Sequence, residues 1–137
     1  MDKNVQENEI TEKNYVKKAE DVIINLKDKK DKDGKTVQMV TTSKIRNLLA
    51  MTADIYNDVI AQADTKLTEE QQSRIEYLKI RIIYESGRES TVKDLVKESG
   101  ILKMIEEIGA KKKNFLLFSK YMEALVAFRK FYVANDQ

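Results

Sequence analysis

The chain contains no proline, and its four glycines stand at 34, 87, 100 and 109. Proline and glycine are the strongest local punctuation a chain has, so each glycine reads as an end or a turn and the stretches between them as long regular elements. Within those stretches apolar residues return every three or four positions, the period of a helix with one buried face, instead of alternating as in a strand. The fold class that follows is all-α: a compact, single-domain bundle of about five helices. With 137 residues the chain can bury roughly two-thirds of the surface its unfolded form exposes, in one core.

Residues 1–10 are polar and read as a frayed terminus, so the helical domain spans 11–137. A first helix starts near Thr11, a capping-type residue, and carries Tyr15, Val16, Ala19, Val22, Ile23 and Leu26 at helical spacing. The segment at about 28–41, DKKDKDGKTVQMV and the residue after it, has no sustained period and reads as a mobile charged connection. Its acidic residues do not make a calcium loop. With Asp31, Asp33 and Gly34 at the third, fifth and sixth positions, the first and last ligand positions would be Lys29 and Val40.

A second helix runs over about 43–63, and a short turn leads to Thr68, where Thr68 and Gln71 have capping-box spacing. That third helix is expected to end near Gly87 in a left-handed stop. A further helix starts at Ser90 or Thr91, is interrupted near Gly100 and resumes to Ile108, with Gly109 closing it. The last helix, about 111–133, holds six of the ten aromatic residues and is apolar around about half its circumference, which makes it the central helix.

Charge balances to +2 overall, which excludes a bulk polycation and leaves room for a basic face opposed by an acidic one. Residues 91–137 hold nine basic and six acidic residues, so the small excess lies there. With no Cys and no His, the chain has no disulfide, no thiolate nucleophile and none of the main transition-metal ligands. The carboxylate pairs Glu69 with Glu70 and Glu106 with Glu107 are sequence neighbours on helices and diverge. No Gly-rich phosphate loop is present. Catalysis, a metal and a cofactor are therefore not expected. The absence of cysteine fits a reducing cytoplasm, and no apolar run reaches the ~20 residues that a bilayer span needs.

Three features offer anion binding instead. The stretch TSKIRNLLAMTADIYN, residues 42–57, puts Lys44 and Arg46 in the first turn of a helix whose stripe is Ile45, Leu48, Leu49, Thr52, Ile55, Tyr56 and Val59. Cations at a helix start oppose its dipole unless an anion such as a phosphate sits opposite. On the third helix Arg74, Tyr77, Arg81, Tyr84 and Arg88 follow at intervals of three and four, beside Ile75, Leu78 and Ile82. Either this stripe faces a nucleic-acid backbone, with guanidinium forks on phosphates and phenols stacked or donating, or its tyrosines are core rings and its arginines pair with Glu76, Glu85 and Glu89. On the last helix Arg129 falls on the apolar face with Phe118, Met122 and Leu125 and so demands a partner. The end of the core, a buried carboxylate or an anion between packed subunits would each supply one. Lys111, Lys112 and Lys113 read either as plain solvated charge or as screened attraction to a polyanion, and Lys120 and Lys130, on the polar side, leave the same two readings open.

Three segments in order, TTSKIRNLLAMTADIYN from Thr41, LKIRIIYESGRE from Leu78 and FLLFSKYMEALVAFRKFYVA from Phe115, resemble the small subunit of the Csm complex, the type III-A CRISPR effector. The matching pieces are Ile45 with Arg46, Tyr84 with Gly87 and Arg88, and residues 124–128. The resemblance implies a compact helical protein, not itself the nuclease, that stacks in several copies along the guide-target RNA duplex and contacts its backbone. The implied partners are guide RNA, target RNA, the backbone nuclease subunit, the large subunit and neighbouring copies of the chain itself. It carries RNA contact onto Arg46, Arg81 and Arg88 first, with Tyr84 in the same motif, and onto Lys44, Lys79, Lys120 and Arg129 after them. Arg81 stands where the family pattern has lysine, and the charged connection has no role in that pattern. The rival reading is a helical protein-protein adaptor whose arginines meet acidic partner surfaces and no RNA.

Overall fold

The computed structural model describes residues 9–133 and contains, among them, six helices and no strand longer than an isolated bridge. They are α1 (Tyr15–Lys27), α2 (Thr42–Ala61), α3 (Glu69–Arg88), α4 (Ser90–Ser99), α5 (Ile101–Glu106) and α6 (Lys112–Tyr132). The helical class read from the periodicity is what the chain adopts, with the interrupted fourth helix counted as two. Of the frayed terminus expected at 1–10, residues 1–8 lie outside the described part, while Ile10 packs against the core.

Local chemistry explains the starts. Thr41 caps α2 by accepting from the Lys44 N–H at 3.2 Å. Thr68 and Gln71 form the reciprocal capping box at the head of α3, each bond 3.0 Å. The stops are less regular. Gly100 takes the left-handed conformation (φ 73°) and ends α4, and a side chain there would be strained by the backbone alone, because nothing lies within 4 Å of an added Cβ. Gly87, the expected stop of α3, stays inside the helix, and the break falls at Glu89, which is extended (φ −137°, ψ 126°). One extended residue turns the chain from α3 into α4, so a left-handed glycine is not needed.

The helices close a ring in which α6 packs on α1, α1 on α4, α4 on α3, α3 on α2 and α2 back on α6, with the short α5 against α3, α4 and α6. The inner faces follow the sequence stripes: Ala19, Val22, Ile23 and Leu26 of α1, Ile45, Leu48, Ile55 and Val59 of α2, Ile75, Leu78 and Ile82 of α3. From α6 come Phe115, Phe118, Tyr121, Met122 and Leu125, all buried. Full burial of side chains of this size stabilises by roughly 1.5–3 kcal/mol each. The connection at 28–41 folds back on itself. Lys30 and Thr36 pair across a bridge, and the Asp31 carboxylate accepts from the N–H groups of Asp33 and Lys35 at 2.9 and 3.0 Å. Asp31 thereby holds its own turn.

Two buried polar groups sew the bundle. Tyr121 donates its hydroxyl to the Ser99 carbonyl at 2.8 Å, tying α6 to the end of α4. Arg129 is 2% exposed and donates from Nε to the Val40 carbonyl at 2.7 Å and from Nη1 to the Val133 carbonyl at 3.2 Å. Of the partners the sequence leaves open for Arg129, the backbone at the end of the core is one the structure supplies.

Arg129→Ala removes donors from buried carbonyls and opens a cavity, so it should cost about 3 kcal/mol or more, read from urea unfolding; a loss under about 0.5 kcal/mol would refute the buried bond. Burial, aided by the Glu98 carboxylate, raises the Tyr121 phenol above its ordinary range. The folded state therefore keeps this proton at pH values where the unfolded phenol, with a pKa of about 10, loses it. The contribution is whole below about pH 10 and falls as pH rises beyond it. Tyr121→Phe should cost about 1–2 kcal/mol near neutrality by orphaning the Ser99 carbonyl, and its deficit against the parent should shrink in alkaline unfolding curves.

Candidate nucleic-acid interface

Buried Ile75, Leu78 and Ile82 fix the roll of α3 and turn its other face outward, as the spacing requires. Tyr77 is 62% and Tyr84 53% exposed, so neither is a core ring. Ile80 and Ile83 are exposed beside them. The Arg81 and Arg88 guanidinium carbons lie 5.0 and 5.7 Å from the centre of the Tyr84 ring, one from each side along the helix. Such stacking holds a guanidinium in place without using its hydrogen-bond donors.

Those donors meet a carboxylate. Arg81 reaches Glu85 at 3.2 Å and Arg88 reaches it at 3.3 Å, the two arginines being four residues before and three residues after it. Across a groove of about 520 Å³, α2 contributes Lys44, Asn47, Leu48 and Met51, and Val92 of α4 closes the end. Lys44 forms an ion pair with Glu89, the hinge between α3 and α4. Its position at a helix start is thus answered by an anion from the protein itself. Sequence reasoning missed Asn47 and Met51, although they follow Lys44 at three and seven residues and so share its flank.

Other expected residues lie elsewhere. The Arg46 side chain is exposed and makes no ion pair or hydrogen bond among the described residues, but at 100° per residue it stands about 200° around α2 from Lys44. The two first-turn cations therefore diverge. Lys79 pairs with Glu106 of α5 at 3.0 Å, on another side of α3. Lys120 pairs with Glu12 at 3.5 Å, near the start of α1. Arg74 meets Asp58 at 3.4 Å at the far end of the stripe. Arg129, onto which the resemblance also carries RNA contact, is buried and donates to the Val40 and Val133 carbonyls.

A larger cavity, about 590 Å³, opens between Ile10, the end of α4, α5 and α6. Its charged lining is Glu9, Glu98 and Glu107 against Lys97 and Lys103. Carboxylates outnumber cations there, which disfavours a phosphate, whereas the smaller groove has Lys44, Arg81 and Arg88 against Glu85. The smaller groove is the candidate site. No helix among the described residues is long and apolar enough to cross a membrane.

A family model described as Csm2 Type III-A matches residues 20–135. The chain belongs to this family. Among its relatives, each named CRISPR system Cms protein Csm2, one from Streptococcus thermophilus is 37% identical over 127 residues, covering 93% of this chain and 98% of the relative. Another, from Mycobacterium tuberculosis, is 34% identical with the same coverage. A third, from Enterococcus italicus, is 42% identical over 99 residues, 71% of each chain. This is the family that the three sequence segments resemble, and the Csm2 match spans every residue of the groove.

Because Arg46 is exposed and its side chain has no partner among the described residues, Arg46→Ala should leave thermal stability within about 0.5 kcal/mol of the parent. A larger drop in a melting experiment would show that Arg46 serves the fold.

Proposed function

We propose that the chain is a non-catalytic subunit of a type III-A CRISPR ribonucleoprotein that lies in several copies along the guide-target RNA duplex and contacts its backbone without sequence preference. Membership of the Csm2 family supports the complex. The observation that carries the RNA contact is the pair Arg81 and Arg88, stacked over Tyr84 and facing Lys44 across one groove. Guanidinium forks held at fixed positions suit phosphate oxygens. A guide changes sequence from one RNA to the next, so its protein must recognise backbone and leave base identity to pairing. The closed major groove of A-form RNA favours the same division.

In this reading Lys44, Arg81 and Arg88 take one stretch of backbone, and Arg46, on the other flank of α2, takes a separate one. Lys79 and Lys120 add attraction from outside the groove, and Arg129 supports the scaffold. The other partners are the backbone nuclease subunit, the large subunit and neighbouring copies, and the setting is the cytoplasm. A second reading rests on the exposed apolar side chains Tyr77, Ile80, Ile83 and Tyr84, a surface suited to an adaptor that docks protein and no RNA.

The test is a salt titration of target-RNA affinity in the assembled complex. Replacing Arg46, Arg81 and Arg88 with Ala should weaken binding and flatten the plot of log affinity against log salt by roughly 0.7–0.9 for each phosphate that is no longer neutralised. Unchanged affinity and slope would remove these residues from the interface. An assembly that survives nuclease treatment and contains no RNA would favour the adaptor.

A further inference from the structure

The groove already holds an anion of its own. Glu85 presents one carboxylate oxygen to Arg81 at 3.2 Å and both oxygens to Arg88 at 3.3 and 3.5 Å. Both guanidiniums are stacked on the same neighbouring ring, Tyr84. A carboxylate and the two free oxygens of a phosphodiester offer a guanidinium fork similar acceptors, so one cannot be taken up fully while the other stays. Glu89 stands in the same relation to Lys44. Counting Lys44, Arg81 and Arg88 against Glu85 and Glu89, the cluster carries three positive and two negative charges. An RNA phosphate thus meets cations that are positioned but largely neutralised.

We infer that Glu85 is a resident counter-anion which holds Arg81 and Arg88 in place and is displaced from them by an RNA phosphate, setting the groove's affinity below its maximum. The inference rests on the proposed RNA contact and adds a specificity-determining residue to it. Glu85 keeps a single copy from closing on any polyanion it meets, and favours binding where neighbouring contacts hold the backbone in place. The exchange is feasible because these are surface pairs. Arg81 and Arg88 side chains are 37% and 53% exposed, and such pairs are weak and salt-screened. Structural damage at this position would weaken binding, whereas removing a competitor strengthens it, so the direction of the effect identifies the cause.

The experiment measures fluorescence anisotropy of a labelled RNA duplex of arbitrary sequence, at low salt, titrated with the full chain. The variants are Glu85→Gln, Glu89→Gln, Arg81→Ala with Arg88→Ala, and Glu106→Gln as a control whose partner Lys79 lies outside the groove. Glu85→Gln should tighten binding about two- to fivefold, the span corresponding to removal of one or two exposed ion pairs, with an unchanged melting temperature. Glu89→Gln should act in the same direction through Lys44, and Glu106→Gln, which frees only Lys79 outside the groove, should tighten binding less than Glu85→Gln does. If the arginine variant weakens binding while Glu85→Gln leaves it unchanged or weaker, the counter-anion is refuted and the RNA contact stands. If the arginine variant also has no effect, or the duplex is not bound by the parent or by Glu85→Gln, the groove is not an RNA site and both fall. Tightening by Glu106→Gln equal to that by Glu85→Gln would reduce the effect to net charge and overturn the assignment to Glu85.

Discussion

The bond from Arg129 to the Val40 carbonyl is a buried tie between distant parts of the chain. It joins the last turn of α6 to the residue before the Thr41 cap, across 89 positions of sequence. A buried guanidinium is expensive to desolvate, and charge pairing and hydrogen bonds in good geometry offset that cost. Once it is placed, the options for the neighbouring chain are few. Val40 is buried, Thr41 must start the helix, and the α2 stripe from Ile45 onward must turn toward α6. The azimuths of Lys44 and Arg46 follow from that roll. A buried charge on α6 thus helps set which way Lys44 of the groove points.

On α3 the same principle works from the opposite side. Ile75, Leu78 and Ile82 are buried, so the remaining azimuths of the helix are exposed whether or not they are polar. Tyr77, Ile80, Ile83 and Tyr84 put four large, exposed apolar side chains on those azimuths. Arginine stacking makes use of one of them. A guanidinium over Tyr84 keeps its donors free for oxygen while covering part of an exposed ring. The face therefore has two chemistries, an apolar strip and a charged one, separated by less than one turn of helix.

Much of this is legible in the chain itself, because helix formation depends on neighbours three and four residues away. The α2 stripe, the Thr68 and Gln71 capping box and the Arg/Tyr stripe all rest on such spacing, although spacing leaves open whether the two tyrosines face the core or solvent. The divergence of Lys44 from Arg46 is also within reach, since residues two apart on a helix are about 200° apart, and pairing of Arg81 and Arg88 with Glu85 follows from intervals of four and three. What is not legible depends on distant parts of the chain. Nothing local to Arg129 indicates Val40, and nothing local to Lys44 indicates Glu89. Gly87 illustrates a different limit: glycine permits a left-handed stop but does not impose one, and the packing of α4 places the turn at Glu89.

The weakness of the groove's ion pairs has a consequence for assembly. Exposed pairs of this type contribute about 0–1 kcal/mol each, so under the proposed RNA contact a phosphate displacing Glu85 would gain little over the carboxylate it replaces, and one copy alone would bind RNA poorly. Several copies held side by side, as proposed, would change the arithmetic, because each further contact would become intramolecular and its small gain would multiply with the others. Low affinity per copy would then become a source of discrimination. An RNA that fitted only one groove would leave Glu85 in place, whereas a continuous duplex would displace it in copy after copy. A stronger groove, free of its carboxylates, would lose that distinction by retaining isolated RNAs of any kind.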